Sequence, residues 1–377
     1  KNSIKFKKLL MTNKRTKKIL FLCPYPINKA PSQRLKYEQY FPYFIENGWH
    51  LKVSPFVTEK FWKIIYKKGH FIEKTIFTIY GYLYRFRDLF YIRKYDVVYV
   101  HLWVTPLGLP IFEWLTKKLA KKLIYDIDDM VFLGHSSEAN KYIIKIKGTK
   151  KMIFLMKNSN HVITCTPYLD QFVRQYNENT TDISSTINTN IYLPRTDYQL
   201  SDIPILGWSG SHSTSKYLKL LEPVFLELLK KEIPFQILII GDENFHFSDI
   251  KIPYKAIRWN LETEVEDLKK IDIGLYPLPD EPWVYGKSGL KALQYMALGI
   301  PTVATAVGAN FRIINDAENG FLIPINDLEL WGKIIIKLLN DKELREKIGK
   351  KGRETVETYY SIEANKNKYL SILGSMI

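Results

Sequence analysis

The residues best suited to chemistry fall in one stretch, DIGLYPLPDEPWVYGKSGLKALQYMALGIPTVATAVG, residues 272–308. An apolar run ends at Pro277, a loop with Pro279, Pro282 and Gly286 follows, and Lys287-Ser288-Gly289 opens a helical pattern over Leu290 to Leu298. Free amides at a helix N-terminus attract an anion, Gly289 lets the backbone approach it closely, and Lys287 adds a full positive charge. That combination suits a diphosphate. A glycine alone would be a turn and a lysine alone a solvated side chain; together with Gly299-Ile300-Pro301-Thr302-Val303-Ala304 they are more specific. A second group is Leu123-Ile124-Tyr125-Asp126-Ile127-Asp128-Asp129, an apolar run ending in three carboxylates. A D-x-D pattern can hold Mg²⁺ or Mn²⁺ beside a diphosphate, hydrogen-bond a hydroxyl, or stabilise a helix start through the dipole. His101 closes another apolar run, and Ser32, Gln33 and Arg34 follow the first one. The loop from Gly210 and Ser211 to Lys216 could bind phosphate or cap a helix starting near Thr214.

Such side chains need strand ends to converge. Short apolar runs at Lys18 to Cys23, Leu51 to Phe56, Asp96 to His101, Leu123 to Tyr125 and His161 to Cys165 alternate with helical patterns at Gln33 to Asn47, Pro110 to Ala120 and Thr166 to Tyr176. This is the βαβ rhythm of a parallel, doubly wound sheet. The rhythm restarts with strands at Ile203 to Trp208, Phe235 to Gly241, Asp272 to Tyr276 and Pro301 to Thr305, and helices at Lys216 to Lys231, Thr263 to Lys270, Lys287 to Leu298 and Leu328 to Leu339. The fold class expected is α/β, with two Rossmann-like domains over residues 1–195 and 202–360 meeting near Thr189 to Ser201. Residues 1–17 form a basic leader, and residues 361–377 a terminal helix that packs back toward the N-terminal domain. A length of 377 residues suits two domains, and 46% hydrophobic with 25% charged residues is ordinary globular usage. Cys23 and Cys165 are the only cysteines, which excludes a disulfide framework and a cysteine-based zinc site. No apolar run reaches the roughly 18 residues of a membrane-spanning helix.

Charge is distributed unevenly. Residues 1–200 hold 33 Lys and Arg against 15 Asp and Glu, whereas residues 201–377 hold 22 against 24. The first hundred residues alone carry 21 against 6. Within them, residues 57–95 interleave Phe61, Trp62, Tyr66, Phe71, Phe77 and Tyr80 with Lys60, Lys63, Lys67, Lys68, Lys74, Arg85, Arg87 and Arg93. A basic, aromatic helix of this kind can lie in a membrane interface, or it can pack its aromatics on the sheet with its cations solvated. No nucleic-acid-binding motif accompanies the charge, so nucleic acid is not an expected partner.

The segment GLKALQYMALGIPTVAT resembles the donor-site helix of group 1 (family 4) retaining glycosyltransferases, and Gly207 to Ser211 and Tyr360-Ser361 also suit that family. The resemblance, extended from Lys18 to the C-terminus, implies a GT-B fold of two Rossmann-like domains facing across a cleft. It implies a nucleoside-diphosphate sugar held mainly by the C-terminal domain and a hydroxyl acceptor, a membrane-associated glycan or lipid-linked saccharide, held mainly by the N-terminal one. Carried over residue by residue, Gly210, Ser211, Lys216, Lys287, Ser288, Gly289, Leu290 and Gln294 would bind the donor. Asp126, Asp128 and Lys287 would serve the chemical step, and Ser32, Arg34 and His101 the acceptor side. Gln294 stands where the family has the second Glu of its E-x7-E motif, and Gly286 where it has the first. The family's strand-end Arg/Lys pair has no obvious counterpart. No metal and no cofactor is implied, and the reading is a hexosyltransferase-like, metal-independent enzyme of polysaccharide biosynthesis, cytoplasmic and peripheral on the inner face of the membrane. Two rivals remain open at this point: a nucleotide-sugar epimerase, and a non-catalytic binding or scaffold protein motivated by Gly286 and Gln294.

Overall fold

In the computed structural model, which describes residues 16–67, 69–128, 130 and 149–377, each half of the chain builds one six-stranded parallel sheet. Most of the leader, Lys68 and Asp129 lie outside the described residues. The first sheet contains β1 (Lys17–Cys23), β2 (Trp49–Pro55), β3 (Val97–His101), β4 (Leu123–Asp126), β5 (His161–Thr164) and β6 (Thr180–Asp182), in the order β2-β1-β3-β4-β5-β6. The second contains β7 (Ile205–Ser209), β8 (Gln236–Ile240), β9 (Tyr254–Ile257), β10 (Ile273–Tyr276), β11 (Thr302–Thr305) and β12 (Phe321–Ile323), in the order β12-β11-β10-β7-β8-β9. Central strands such as β3 and β10 are buried along their whole length, which is why they read as unbroken apolar runs. The edge strands β6, β9 and β12 are short or polar, and the hydrophobic pattern did not single them out.

Helices α1 (Pro31–Arg34), α2 (Phe41–Glu46), α3 (Glu59–Ile65), α4 (Phe71–Tyr91), α5 (Ile111–Leu119), α6 (Thr149–Asn158) and α7 (Pro167–Arg174) belong to the first half. Helices α8 (Glu222–Lys230), α9 (Glu264–Lys269), α10 (Leu290–Ala297), α11 (Asn310–Ile313), α12 (Leu328–Asn340), α13 (Lys342–Thr355) and α14 (Ile362–Ser375) belong to the second. Two expected helices are broken. Gln33 to Asn47 divides into α1, a 3-10 turn at Glu38–Tyr40 and α2, and Lys216 to Lys231 divides into a 3-10 segment at Ser215–Leu221 and α8. In both cases a proline, Pro42 or Pro223, sits in the first turn of the later helix, where its missing N–H ends the preceding ladder. Helix α14 returns to the first half, where Tyr369, Ile372, Leu373 and Met376 share a core with Ile19, Phe21 and Phe44.

Helices α3 and α4 fill the basic aromatic stretch. Helix α4 is pinned to the sheet by a buried cation: Arg85 donates to the carbonyls of Cys23 at 2.8 Å, Ser54 at 2.9 Å and Val104 at 2.7 Å, and pairs with Asp88 at 3.2 Å. Gly81 lets the helix close on Phe56, whose ring lies 2.6 Å from where a Cβ would stand. This reverses part of the packing expectation, because Arg85 is inside while Ile72, Ile76, Ile79, Leu83, Phe86 and Phe90 are exposed.

Both sheets change direction beside their first strand: β2 and β3 flank β1, and β8 and β10 flank β7. Crevices open at the carboxyl ends of strands at such switch points. Here the two crevices face each other.

Candidate active site

A cavity of about 570 Å³ lies between the domains. From the C-terminal domain it is lined by Gly210 and Ser211 after β7, Gly241 after β8, Tyr276 at the end of β10, and Lys287, Ser288, Gly289, Leu290, Lys291 and Gln294. The N-terminal domain contributes Tyr25, Ser32, Trp62, Tyr66 and Asp128. Gly289 caps α10 in the left-handed region at φ 72°, and a Cβ there would lie 2.3 Å from Ile313 Cδ1. The glycine is therefore required both by conformation and by space. Lys287 Nζ stands 4.6 Å from the Trp283 ring centroid beside the same helix start.

Gln294 is held by a web centred on Glu264 at the start of α9. The Glu264 carboxylate accepts from Arg34 Nη2 at 2.8 Å, Trp259 Nε1 at 2.9 Å, Tyr192 Oη at 2.9 Å and Gln294 Nε2 at 3.3 Å. Gln294 Nε2 also donates to Tyr192 at 3.0 Å, and among the described residues its Oε1 has no hydrogen-bond partner. Gln294 lines the cavity, and an amide oxygen can accept from a hydroxyl-bearing ligand. Gly286 does not line the cavity. A Cβ at this position would lie 2.3 Å from Met130 Cγ and 2.8 Å from its backbone nitrogen, so no glutamate fits there with the domains packed as they are.

The carboxylates divide. Asp126 is sealed, with no side-chain exposure; it pairs with the equally buried Lys36 and accepts from Tyr99 Oη at 2.6 Å, and His101 Nδ1 lies 3.4 Å away. Burial by itself would raise the pKa of Asp126, but the Lys36 ammonium and His101 outweigh it and hold the carboxyl below its usual range. Burial likewise opposes the charge on Lys36, and Asp126 more than restores it. Asp128 is the carboxylate that reaches the cavity. His101 is fully buried, with Nε2 4.0 Å from Asp128 Oδ1. Direct contact of Asp126 or His101 with a bound acceptor does not fit this burial.

Other expectations sort similarly. Ser32 faces the cavity and does not cap α1, whose N-cap is Ala30. Arg34 lies behind the cavity wall, bridging the domains through Glu264. Lys216 is exposed with its Nζ 5.0 Å from the Tyr217 ring, outside the cavity lining, so the geometry does not support the donor role expected of it. Thr214 does not cap the following turn; its Oγ1 donates to the Ser211 carbonyl at 3.1 Å. Glu264, Trp259, Gly241, Lys36 and Lys291 were missed. Of these only Lys291 had a usable signal, because it falls inside the segment GLKALQYMALGIPTVAT, four residues after Lys287.

Residues 200–355 match the family Glycosyl transferases group 1. The capsular polysaccharide biosynthesis glycosyltransferase CapM of Staphylococcus aureus is 24% identical over 43% of this chain and 43% of its own length. The chain spans less than half the length of the first curated relatives it matches. Among solved structures, sucrose-phosphate synthase from Thermosynechococcus elongatus superposes with a TM-score of 0.66 at 16% identity, covering 96% of this chain and 99% of that one. Anabaena HepE in complex with UDP-glucose gives a TM-score of 0.66 at 15% identity over 95% of this chain and 99% of its own. Two facing parallel-sheet domains, a helix start at Gly289 in the second and a family match over residues 200–355 that contains it lead to one assignment: residues 200–355 carry a group 1 glycosyltransferase domain, and the chain as a whole has the GT-B fold.

Proposed function

We propose that this protein is a retaining, metal-independent, hexosyltransferase-like enzyme that moves a sugar from a nucleoside diphosphate to a hydroxyl of a glycan or lipid-linked saccharide. The observation that carries the reading is a cavity in which the Lys287 to Leu290 helix start of one domain faces Asp128 and Ser32 of the other. Residues 1–195 would hold the acceptor and residues 202–360 the donor. In this reading the Gly289 and Leu290 amides and Lys287 neutralise the departing diphosphate as preorganised donors. A leaving-group oxygen takes the acceptor proton on the same face of the sugar, Asp128 orients a hydroxyl, and the aromatic wall of Tyr25, Trp62 and Tyr66 excludes water. HepE, which shares the fold, was solved with UDP-glucose, and this makes a UDP-sugar the first donor to try.

Action at the inner face of a membrane is supported by α4. Its exposed Ile72, Ile76, Ile79, Leu83, Phe86 and Phe90 recur at alternating spacings of four and three, a continuous stripe along one face. Exposed Lys63, Lys67, Arg87, Arg93 and Lys94 flank it, which favours an anionic lipid surface over a second apolar protein face. Among the described residues no helix is long and apolar enough to cross a membrane. Trp62 and Tyr66, just before α4, line the cavity, so a docked α4 would bring the acceptor side close to the lipid.

The test is thermal stability with UDP-, GDP-, ADP- and dTDP-sugars. A ligand at a hundred times its Kd stabilises the folded state by about 2.7 kcal/mol. No shift with any of them would favour the scaffold reading, and donor conversion without an acceptor would favour an epimerase.

A further inference from the structure

Lys291 is the side chain that the proposed mechanism leaves unused. It lies in the first turn of α10, four residues after Lys287, which precedes the helix, and its ammonium stands between the ends of β7 and β10, where the C-terminal sheet switches direction. Nζ is 5.1 Å from the Trp208 ring centroid and 5.2 Å from that of Tyr276. Its Cε is so close to Gly210 that a Cβ at that residue would lie 2.6 Å away. Among the described residues no hydrogen bond or ion pair reaches Nζ. Two lysines four apart repel, and a largely desolvated ammonium over two aromatic rings recovers only part of what it loses on leaving water. A chain that keeps this arrangement at the floor of a cavity has an anionic ligand as its physical explanation.

We propose that Lys291 is a second cation for the donor diphosphate, reaching from α10 into the space above Gly210 that the exposed Lys216 leaves uncovered. The inference rests on the donor reading above. Burial, reinforced by the Lys287 charge, brings Lys291 down to about 7. The other titratable groups around it are Tyr276 on β10, Tyr295 on α10 and His212 in the loop after β7, with Asp128, Glu264 and Lys29 elsewhere on the cavity wall. A bound diphosphate supplies the missing counter-charge, so above about pH 7 the Lys291 amine takes a proton from solvent as the donor binds. Affinity therefore falls as pH rises, by up to about tenfold per pH unit.

The experiment is titration calorimetry of the full chain with UDP-, ADP-, GDP- and dTDP-glucose, whose diphosphate diesters do not titrate between about pH 6 and about pH 9. The sugar nucleotide that binds is then measured across that range in two buffers of different ionisation enthalpy. The expected result is proton uptake on the alkaline side, with Lys291→Met weakening binding by about 10- to 100-fold at the acid end and abolishing both proton uptake and pH slope. Lys291→Arg, always charged, keeps the affinity and loses the slope, which a purely structural lysine would not do. A pH slope and affinity unchanged in Lys291→Met would overturn the Lys291 assignment and leave the donor reading standing. A parent without proton uptake overturns it with no variant needed. A parent that binds none of the sugar nucleotides overturns the donor reading and Lys291 with it.

Discussion

At the scale of single residues, two side chains picked out for chemistry now have different expected behaviour. Lys287 sits at the cavity beside the α10 start, and Lys287→Ala should weaken nucleotide-diphosphate binding by roughly 1.5 to 3 kcal/mol, the size of one charge-assisted contact. Unchanged donor affinity in a calorimetric titration would remove Lys287 from the site. Asp126 is a stability residue first. Asp126→Asn leaves the buried Lys36 ammonium without its counter-charge and should cost about 3 to 5 kcal/mol in denaturant unfolding. The double variant Lys36→Met, Asp126→Asn should recover part of that loss. The sign of the pH effect follows from the depressed carboxyl: its stabilisation is present above the usual aspartate pKa and is lost as pH falls through the lower folded-state value. Acid sensitivity at the low end should therefore be reduced in the double variant relative to the parent.

At the scale of elements, the start of α10 and the face of α4 make opposite demands. The first tolerates nothing larger than glycine: Gly289→Val combines an unfavourable left-handed backbone with a clash at Ile313, and should lower both stability and nucleotide affinity. The second is conspicuous because nothing among the described residues covers it. Changing Ile76, Leu83, Phe86 and Phe90 to Gln should leave thermal stability within about 0.5 kcal/mol, as exposed positions do, while reducing co-sedimentation with phosphatidylglycerol vesicles. Replacing Lys63, Lys67 and Arg87 with Gln should remove the salt-sensitive part of that binding. Equal sedimentation of parent and both variants, or no preference over phosphatidylcholine, would reject the membrane role. A concentration-dependent dimer lost in the apolar variant would assign the stripe to self-association instead.

For the molecule as a whole, the domains meet through specific polar contacts around the cavity. Arg34 bridges to Glu264, Arg312 pairs with Asp182 and donates to the Cys165 carbonyl at 3.1 Å, Ser185 Oγ meets Ser288 Oγ at 2.8 Å, and Thr166 Oγ1 donates to the Tyr285 carbonyl at 3.3 Å. These contacts are modest individually, as expected where domains move against each other around a ligand. Arg34→Ala should widen the distribution of domain separations, read as a larger radius of gyration by small-angle scattering without nucleotide, and donor should reverse it. An unchanged radius would make the Arg34 and Glu264 pair incidental. Activity, once a donor and acceptor are paired, should survive EDTA; loss on chelation with recovery on Mn²⁺ would return the D-x-D carboxylates to a metal role.

The sequence alone determined the parallel-sheet class, its repetition in a second sheet and the helix start after Gly289, because each is written in local pattern: buried strands as apolar runs, and a helix N-terminus as Lys287-Ser288-Gly289 before a periodic stretch. What only the tertiary structure decided is which charges are enclosed and by whom. Asp126 and Asp128 are two residues apart and would share a face in a continuing strand, yet one points into the core against Lys36 and the other reaches the cavity, since β4 ends at Asp126 and its alternation does not extend to Asp128. Glu264 meets Arg34 and Gln294 across 230 and 30 residues, and Arg85 goes inside while Phe86 stays out because two strand carbonyls, of Cys23 and Ser54, and the Val104 carbonyl beyond β3 converge on that point of α4. Gly286 carries no glutamate because Met130, from the opposite domain, occupies the space a side chain would need. Such pairings depend on distances set by the packing of both sheets, and no local pattern encodes them.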